Sequence, residues 1–331
     1  MTEPLITVVM PTFNAGPALR QAVASVLAQT LTDFELVIID DCSTDGSTDF
    51  LGSNNDERIR CFRNELNLGA ANSRNRAIGL ARGKFIAIAD ADDLLLPHRL
   101  ALQATMMKEH PEISVVSGAH RTFTGSEEPS RRCASPLTTN AGVSLALRWG
   151  PSFAHGTVLV RKEALLDSGG YRQRFEPTED YDLYARLLKA GHRFGAVPDV
   201  VLLYRMSPEG LSATQSERSR EVHHEVSARV RQQVQLPRPA ELIRAARVEP
   251  RLSRGNPRVR YAKLLVRSAR AALTEKDLRS ALGAAVAFAA VGPTTWAHLA
   301  SEASTRAFSN ATTTRRTRAR DRAWQQKQRL E

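Results

Sequence analysis

The chain has 331 residues, 42% of them hydrophobic and 24% charged, with a net charge of +11; this is globular composition, long enough for one large domain and an appendage, and it excludes collagen-like and low-complexity classes. Three cysteines (Cys42, Cys61 and Cys133) stand far apart with no C-x-x-C spacing, which argues against a disulfide framework or zinc cluster and for a reducing compartment. No basic n-region opens the chain, and the longest uncharged stretch, 280–297, is Ala-rich and cut by Gly292-Pro293, so neither a signal peptide nor a bilayer span of ~20 apolar residues is expected and the chain reads as soluble.

An almost unbroken apolar run at 5–10 predicts a strand buried on both faces of a parallel sheet. Pro11, Thr12, Phe13 and Asn14 break it, and helical spacing follows at 18–27. A second strand at 34–39 ends in Asp40-Asp41, and a turn cluster from Ser43 to Ser47 caps a short helix from Thr48. A strand at 59–62, a helix at 70–82 and a strand at 84–89 come next, the last ending in Asp90-Ala91-Asp92-Asp93. Pro97 opens another helix, at the position where proline is best tolerated. Strands alternating with helices at this spacing predict right-handed βαβ units, hence an α/β fold with an open, doubly wound, mostly parallel sheet.

From 113 to 160 the pattern is mixed, with strands at 113–117, 120–124 and 157–160 and a helix at 143–149. A helix at 179–190 is closed by Gly191, and one more strand is expected at 197–204. Beyond a break at Ser207-Pro208-Glu209-Gly210 the chain turns helical or polar, with helices expected at 261–273, 278–291 and 294–308 and a highly charged end at 315–331. Residues 215–331 hold 24 Lys+Arg against 10 Asp+Glu, whereas 1–214 hold 22 against 25. All the excess positive charge therefore sits in the last third. It faces either an anionic partner, such as a membrane surface or nucleic acid, or only solvent.

In an open parallel sheet, ligands bind where strands end and the chain crosses over. Pro11 to Asn14, Asp40-Asp41 and Asp90 to Asp93 all follow strands, which places them on one rim. Aspartates at that density repel one another unless a cation binds or protons stay on. Hard oxygen ligands favour Mg²⁺ or Mn²⁺, ions that commonly bridge to phosphates. No Gly-x-Gly-x-x-Gly and no Gly-Lys-Ser/Thr loop is present, which disfavours Rossmann dehydrogenases and P-loop NTPases and leaves phosphate neutralisation to a metal and a basic side chain.

Several motifs in order carry a family resemblance. They are Val8-Val9-Met10-Pro11-Thr12-Phe13-Asn14, Ser25-Val26-Leu27-Ala28-Gln29-Thr30, the run from Glu35 through Asp40-Asp41 to Ser47, Asn67-Leu68-Gly69 with Ser73-Arg74-Asn75, the run from Gly83 to Asp93, and Thr178-Glu179-Asp180. Over roughly 4–212 the chain resembles the inverting family 2 glycosyltransferases of the GT-A fold. That resemblance implies a Rossmann-like sheet domain at 1–212, its nucleotide-sugar half about 1–112 and its acceptor half about 113–212, followed by a basic helical region at 213–331.

The resemblance also implies roles. Phe13 stacks on the base of a nucleotide-diphosphate sugar (UDP favoured, dTDP admissible), and Asp41 accepts the uracil N–H. Pro11, Thr12, Asn14, Asn67 and Ala91 line the same site. Arg74 contacts the diphosphate, Asp90 reaches ribose or a metal-bound water, and Asp92 coordinates Mn²⁺ or Mg²⁺. Asp180 is the general base, at a helix start expected to lower its pKa, with Glu179 and His155 on the acceptor side. Read without the family, Asp41 is an Asx cap, Asp90 to Asp93 an N-cap cluster, Arg74 an exposed helix arginine and Asp180 a helix-dipole decoration.

Cys42 replaces the usual glycine, and Ser219 stands where a processive synthase has Trp, so one sugar per encounter is expected. The segment 205–212, with Gly210 as hinge, is expected to close over the nucleotide as a lid. A glycan or lipid-linked acceptor fits a cytoplasmic enzyme whose basic tail touches the inner face of an anionic membrane. Two other classes compete: a sugar nucleotidyltransferase, which would want a Gly-rich phosphate loop after the first strand, and a nucleic-acid binder led by the Arg-rich tail. That tail lacks interleaved aromatics or a recognisable module, so no nucleic acid is expected.

Overall fold

The computed structural model describes residues 3–206 apart from 126–128, 131–132, 135–136 and 152, together with 217–234, 237–248 and the isolated residues 265, 266 and 285. The helices expected at 261–273, 278–291 and 294–308, the charged end, and the 207–212 part of the lid with Gly210 lie outside these residues save for the three isolated ones.

The first half follows its apolar runs. β1 (Ile6–Thr12), β2 (Phe34–Asp40) and β4 (Phe85–Ile88) are buried almost throughout, and β3 (Ile59–Arg63) forms the half-exposed edge. Side chains in them alternate between faces. Val8, Met10, Leu36, Ile38 and Ala87 face one core with α1 (Ala18–Leu27) and α3 (Arg99–Glu109). Val9, Val37, Ile39, Ile86 and Ile88 face a second core with α2 (Ala70–Leu80). Helices on both faces are why these strands read as continuous apolar runs.

The second half completes the sheet with β5 (Leu94–Leu95), β6 (Ile113–Phe123), β7 (Cys133–Ala134), β8 (Leu159–Arg161) and β9 (Arg193–Arg205), in the order β3-β2-β1-β4-β8-β6-β9-β5 with β7 on β6. β8 pairs antiparallel with both β4 and β6, while β6 and β9 pair in parallel, so β3, β2, β1, β4, β6 and β9 all point one way. Their carboxyl ends form one rim. The strands expected at 113–117 and 120–124 are a single strand. Its register with β9 shifts around Gly118, where a Cβ would sit 2.4 Å from Val201 Cγ2, so glycine there both permits the close crossing and splits the sequence signal.

α4 (Asn140–Leu147), α5 (Lys162–Asp167) and α6 (Glu179–Lys189) contribute to the second core; α5, only six residues long, leaves too short a pattern to predict. α7 (Glu217–Gln233) and α8 (Pro239–Val248) join it through Val222, Val226 and Val230, one helical stripe, and through Leu242 and Ala245. No helix among the described residues is long and apolar enough to cross a membrane.

Candidate active site

At the ends of β1 and β2, two loops are sewn together by short polar side chains. The Asn14 amide donates to Ser43 Oγ (3.0 Å), the Thr44 amide to Asn14 Oδ1 (2.8 Å) and the Gly16 amide to Asp45 Oδ2 (2.9 Å). Asn14 and Cys42 hold positive φ angles of 46° and 70°, the region where the family's usual glycine would sit without strain. The loops leave the Phe13 ring 50% exposed on the rim, free to stack.

Neighbouring aspartates divide the work. Asp40 does the capping, accepting from the Ser43 amide at 2.8 Å. Asp41 is buried and accepts from Asn64 Nδ2 (2.6 Å), the Leu68 amide (2.9 Å) and the Gly69 amide (2.9 Å). The Asx-cap alternative therefore belongs to Asp40. Among the described residues these three donors fill three of a carboxylate's roughly four acceptor positions. Asn67 is exposed and turns its Oδ1 back to the Gly69 amide at 3.2 Å.

β4 ends in the Asp90 to Asp93 turn, which β5 clips antiparallel onto β9. Arg205, at the end of β9, donates from its amide to Asp93 Oδ1 (2.8 Å) and from Nε to the Asp92 carbonyl (2.7 Å). Beneath the turn lies Arg99, fully buried, donating to the Ile88 carbonyl at 2.8 Å; burial lowers its pKa to about 10, so it stays charged at neutral pH. Burial opposes ionisation of Asp90, but the Arg74 guanidinium wins and holds its carboxyl below the usual range. Burial and then Asp90 hold Asp92 above it, and the same two causes push Asp93 up to about 9. Asp93 Oδ2 is buried without a hydrogen-bond partner.

The turn therefore carries more carboxylate than its cations balance, a donor set of hard oxygens that fits Mg²⁺ or Mn²⁺. Among the described residues no three His, Cys, Asp or Glu side chains converge on a metal position, so an ion at Asp92 would draw its other ligands from substrate and water.

Arg74 is buried rather than exposed. Its Nη1 donates to Glu179 Oε1 (2.6 Å) and its Nη2 to Asp90 Oδ1 (2.9 Å), while Nε is buried and unpartnered. One guanidinium thus joins the Asp90 turn to the start of α6. There, among the described residues, Asp180 accepts only the adjacent Tyr181 amide, at 2.7 Å. Its carboxyl, expected to be lowered by the helix terminus, is instead pushed up to about 7. Burial is the larger cause and the Glu179 charge the next; a helix dipole worth about 0.3–1 kcal/mol does not offset them.

His155 lies within this group, 2.5 Å from Tyr184 Oη and 3.2 Å from Tyr171 Oη. Tyr171, Tyr184, Asn64 and Arg99 carried no motif that marked them beforehand, and Arg205, expected to open the lid, is instead the last residue of β9. The nearest signal was Gly169-Gly170 ahead of Tyr171: Gly170 has a φ of 61° and a Cβ there would meet Asn75 Oδ1 at 2.5 Å. Pro11, Thr12 and Ala91 lie at the same rim, on the end of β1 and in the Asp90 turn.

Residues 7–169 match the family model described as Glycosyl transferase family 2. EpsE of Bacillus subtilis (strain 168), provisionally named a glycosyltransferase, is 31% identical over 195 residues, 57% of this chain and 69% of EpsE. Escherichia coli WfgD, named UDP-Glc:alpha-D-GlcNAc-diphosphoundecaprenol beta-1,3-glucosyltransferase, is 29% identical over 195 residues, 57% of this chain and 72% of WfgD. Among solved structures, S. aureus TarS 1–349 in complex with UDP-GlcNAc superposes with a TM-score of 0.58 at 18% identity, over 85% of this chain and 90% of that one. The mannosyltransferase PcManGT from Pyrobaculum calidifontis, in complex with GDP-Man and Mn²⁺, gives 0.50 at 19% identity over 88% and 86%.

Proposed function

Since this chain belongs to glycosyl transferase family 2 and is a glycosyltransferase of GT-A fold, we propose that it moves one sugar per encounter, with inversion, from a nucleoside-diphosphate sugar to a hydroxyl of a glycan or lipid-linked acceptor. UDP is the favoured nucleotide and dTDP the second choice. The observation that carries the reading is Arg74, which holds Asp90 and Glu179 from opposite ends and so brings the carboxylate turn beside the start of α6.

Phe13 stacks on the base and Asp41 takes its N–H. Asp92 holds Mn²⁺ or Mg²⁺, which supplies Lewis-acid neutralisation of the departing diphosphate. Asp180 takes the proton of the acceptor hydroxyl as that oxygen attacks the anomeric carbon opposite the leaving group. A carboxylate of pKa about 7 is well matched to this task near neutral pH.

The acceptor class rests on relatives such as WfgD, whose name specifies a diphosphoundecaprenol substrate. Such an acceptor lies in a membrane, and each Lys or Arg near an anionic surface contributes about 1 kcal/mol, so the basic region at 213–331 suits peripheral attachment to the cytoplasmic face. Residues 1–212 are proposed as the catalytic domain. α7 and α8, the described start of the basic region, pack into its core.

Thermal melting with UDP, dTDP, GDP and CMP, each with and without Mn²⁺, tests the proposal on the wild-type chain and on Asp92→Ala. A ligand at ~100 times its dissociation constant adds ~2.7 kcal/mol of stability. A Mn²⁺-dependent shift with one diphosphate, lost in the variant, is expected; no shift with any nucleotide would refute the mechanism.

A further inference from the structure

Three ring side chains beside Arg74 form a hydrogen-bonded chain whose protons do not balance. Tyr184 Oη meets His155 Nδ1 at 2.5 Å, and Tyr171 Oη meets His155 Nε2 at 3.2 Å. Both tyrosines are buried, 1% and 4% exposed, and neither hydroxyl has a further partner among the described residues. Burial and then the Arg74 charge press His155 down to about 3, so the ring is neutral, with one N–H and one lone pair. A neutral imidazole and two phenols bring three protons to two contacts. One phenol proton is left over, and a charged ring would leave two. A buried donor without an acceptor is costly, so a ligand oxygen is expected to receive it.

The surroundings of the two rings assign the leftover proton: Tyr184 donates to Nδ1, Nε2–H donates to Tyr171 Oη, and the Tyr171 proton remains. The Tyr184 ring is walled in by Phe153 (4.9 Å between centroids) and Phe194 (6.0 Å), which offer no acceptor. The Tyr171 ring lies 5.7 Å from the Arg74 guanidinium that grips Asp90 and Glu179. Asn75 fixes the Tyr171 backbone from both sides, at 2.8 Å to its amide and 2.8 Å to its carbonyl.

We infer that the Tyr171 hydroxyl donates a hydrogen bond to an oxygen of the sugar being transferred, with His155 and Tyr184 as the positioning residues that aim it. This rests on the nucleotide-sugar donor proposed above. With the diphosphate carboxylates on one side and Asp180 on the other, the sugar is the substrate part that lies between them.

Tyr171→Phe deletes only the hydroxyl. Calorimetric titration with Mn²⁺ and no acceptor would compare UDP with UDP-glucose, UDP-galactose and UDP-N-acetylglucosamine, using whichever sugar nucleotide the wild-type protein binds. The variant should hold UDP within about twofold of wild type and lose about 5–10-fold in affinity for the sugar nucleotide. Equal weakening of both would assign the hydroxyl to a phosphate or to the fold, and no change in either would leave it without a ligand; both results overturn the inference. A wild-type protein that binds none of these nucleotides would overturn the donor reading itself, and this inference with it. Independently of any variant, the ¹⁵N spectrum of the His155 ring should show the Nε2–H tautomer. The Nδ1–H tautomer would free Tyr184 instead and refute the assignment.

Discussion

Asp180 offers a test in which stability and catalysis must agree. Burial, then Glu179, lifts its carboxyl from 3.8 in the unfolded chain to about 7 in the fold. Because the folded value is the higher one, folding becomes less favourable as pH rises: the penalty begins near the unfolded pKa, grows through the interval and is complete above about 7. At about 1.36 kcal/mol per unit, the full penalty is on the order of 4 kcal/mol, more than half of which accrues above pH 5. Asp180→Asn keeps the shape and removes the ionisation. Its stability relative to wild type should therefore be about 2–3 kcal/mol greater at pH 8 than at pH 5, measured by urea unfolding at the two values. An increment equal at both would refute the account of the buried carboxyl. As the proposed base, the same group must be ionised to act, so kcat/KM should rise with pH through about 7 and flatten above it. The Asn variant should lose about 10²–10⁴ of the rate. An activity limb near pH 4 would mean a base in an ordinary, solvated setting.

Glu179→Gln removes the like charge beside Asp180, so the midpoint of that activity limb should move to lower pH; an unmoved midpoint would show that the two carboxylates do not interact. Arg74→Met strips the shared guanidinium from Asp90 and Glu179. Leaving buried Glu179 and half-buried Asp90 without that partner should cost about 3–5 kcal/mol in urea unfolding, and a loss below about 1 kcal/mol would mean that water already screens the cluster. At Gly83 a Cβ would lie 2.4 Å from the Thr7 amide nitrogen and 2.6 Å from the Ile6 carbonyl carbon, both backbone atoms of β1. Gly83→Ala should therefore cost at least about 3 kcal/mol, and a variant as stable as wild type would show that β1 and β4 can part at that end.

What could be read from the sequence followed from local periodicity. β1, β2 and β4 bury both faces, so their apolar runs and the polar residues that end them mark the rim without ambiguity. Phe13, Asp41, Asp90 and Asp92 could be placed on that rim for that reason, while their roles came from the family resemblance. Arg74 could be named a candidate through the same resemblance but not as a bridge, because its partner Glu179 lies 105 positions away and no periodicity spans that interval. The pKa of Asp180 was misread for a related cause. The helix terminus is visible in the sequence, whereas the burial of the carboxyl at that terminus comes from tertiary packing. Likewise Tyr171, His155 and Tyr184 look like three unrelated core aromatics until β8 enters the sheet between β4 and β6 and brings the turn that carries His155 against α6.

The Arg74 bridge has a consequence for the growing polypeptide. At roughly 5–20 residues per second, Glu179 leaves the ribosome about 5–20 s after Arg74, and the strands β1 to β4 are complete well before it. During that interval the first half can pair its parallel strands, but the Asp90 turn still lacks its clip onto β9 and Arg205, and Arg74 has only one of its two carboxylates. The carboxylate of Asp180, the proposed base, arrives beside a guanidinium already in the chain. Assembly is thus ordered, with the parallel strands emerging before both the helix that completes the Arg74 bridge and the strand that clips the Asp90 turn.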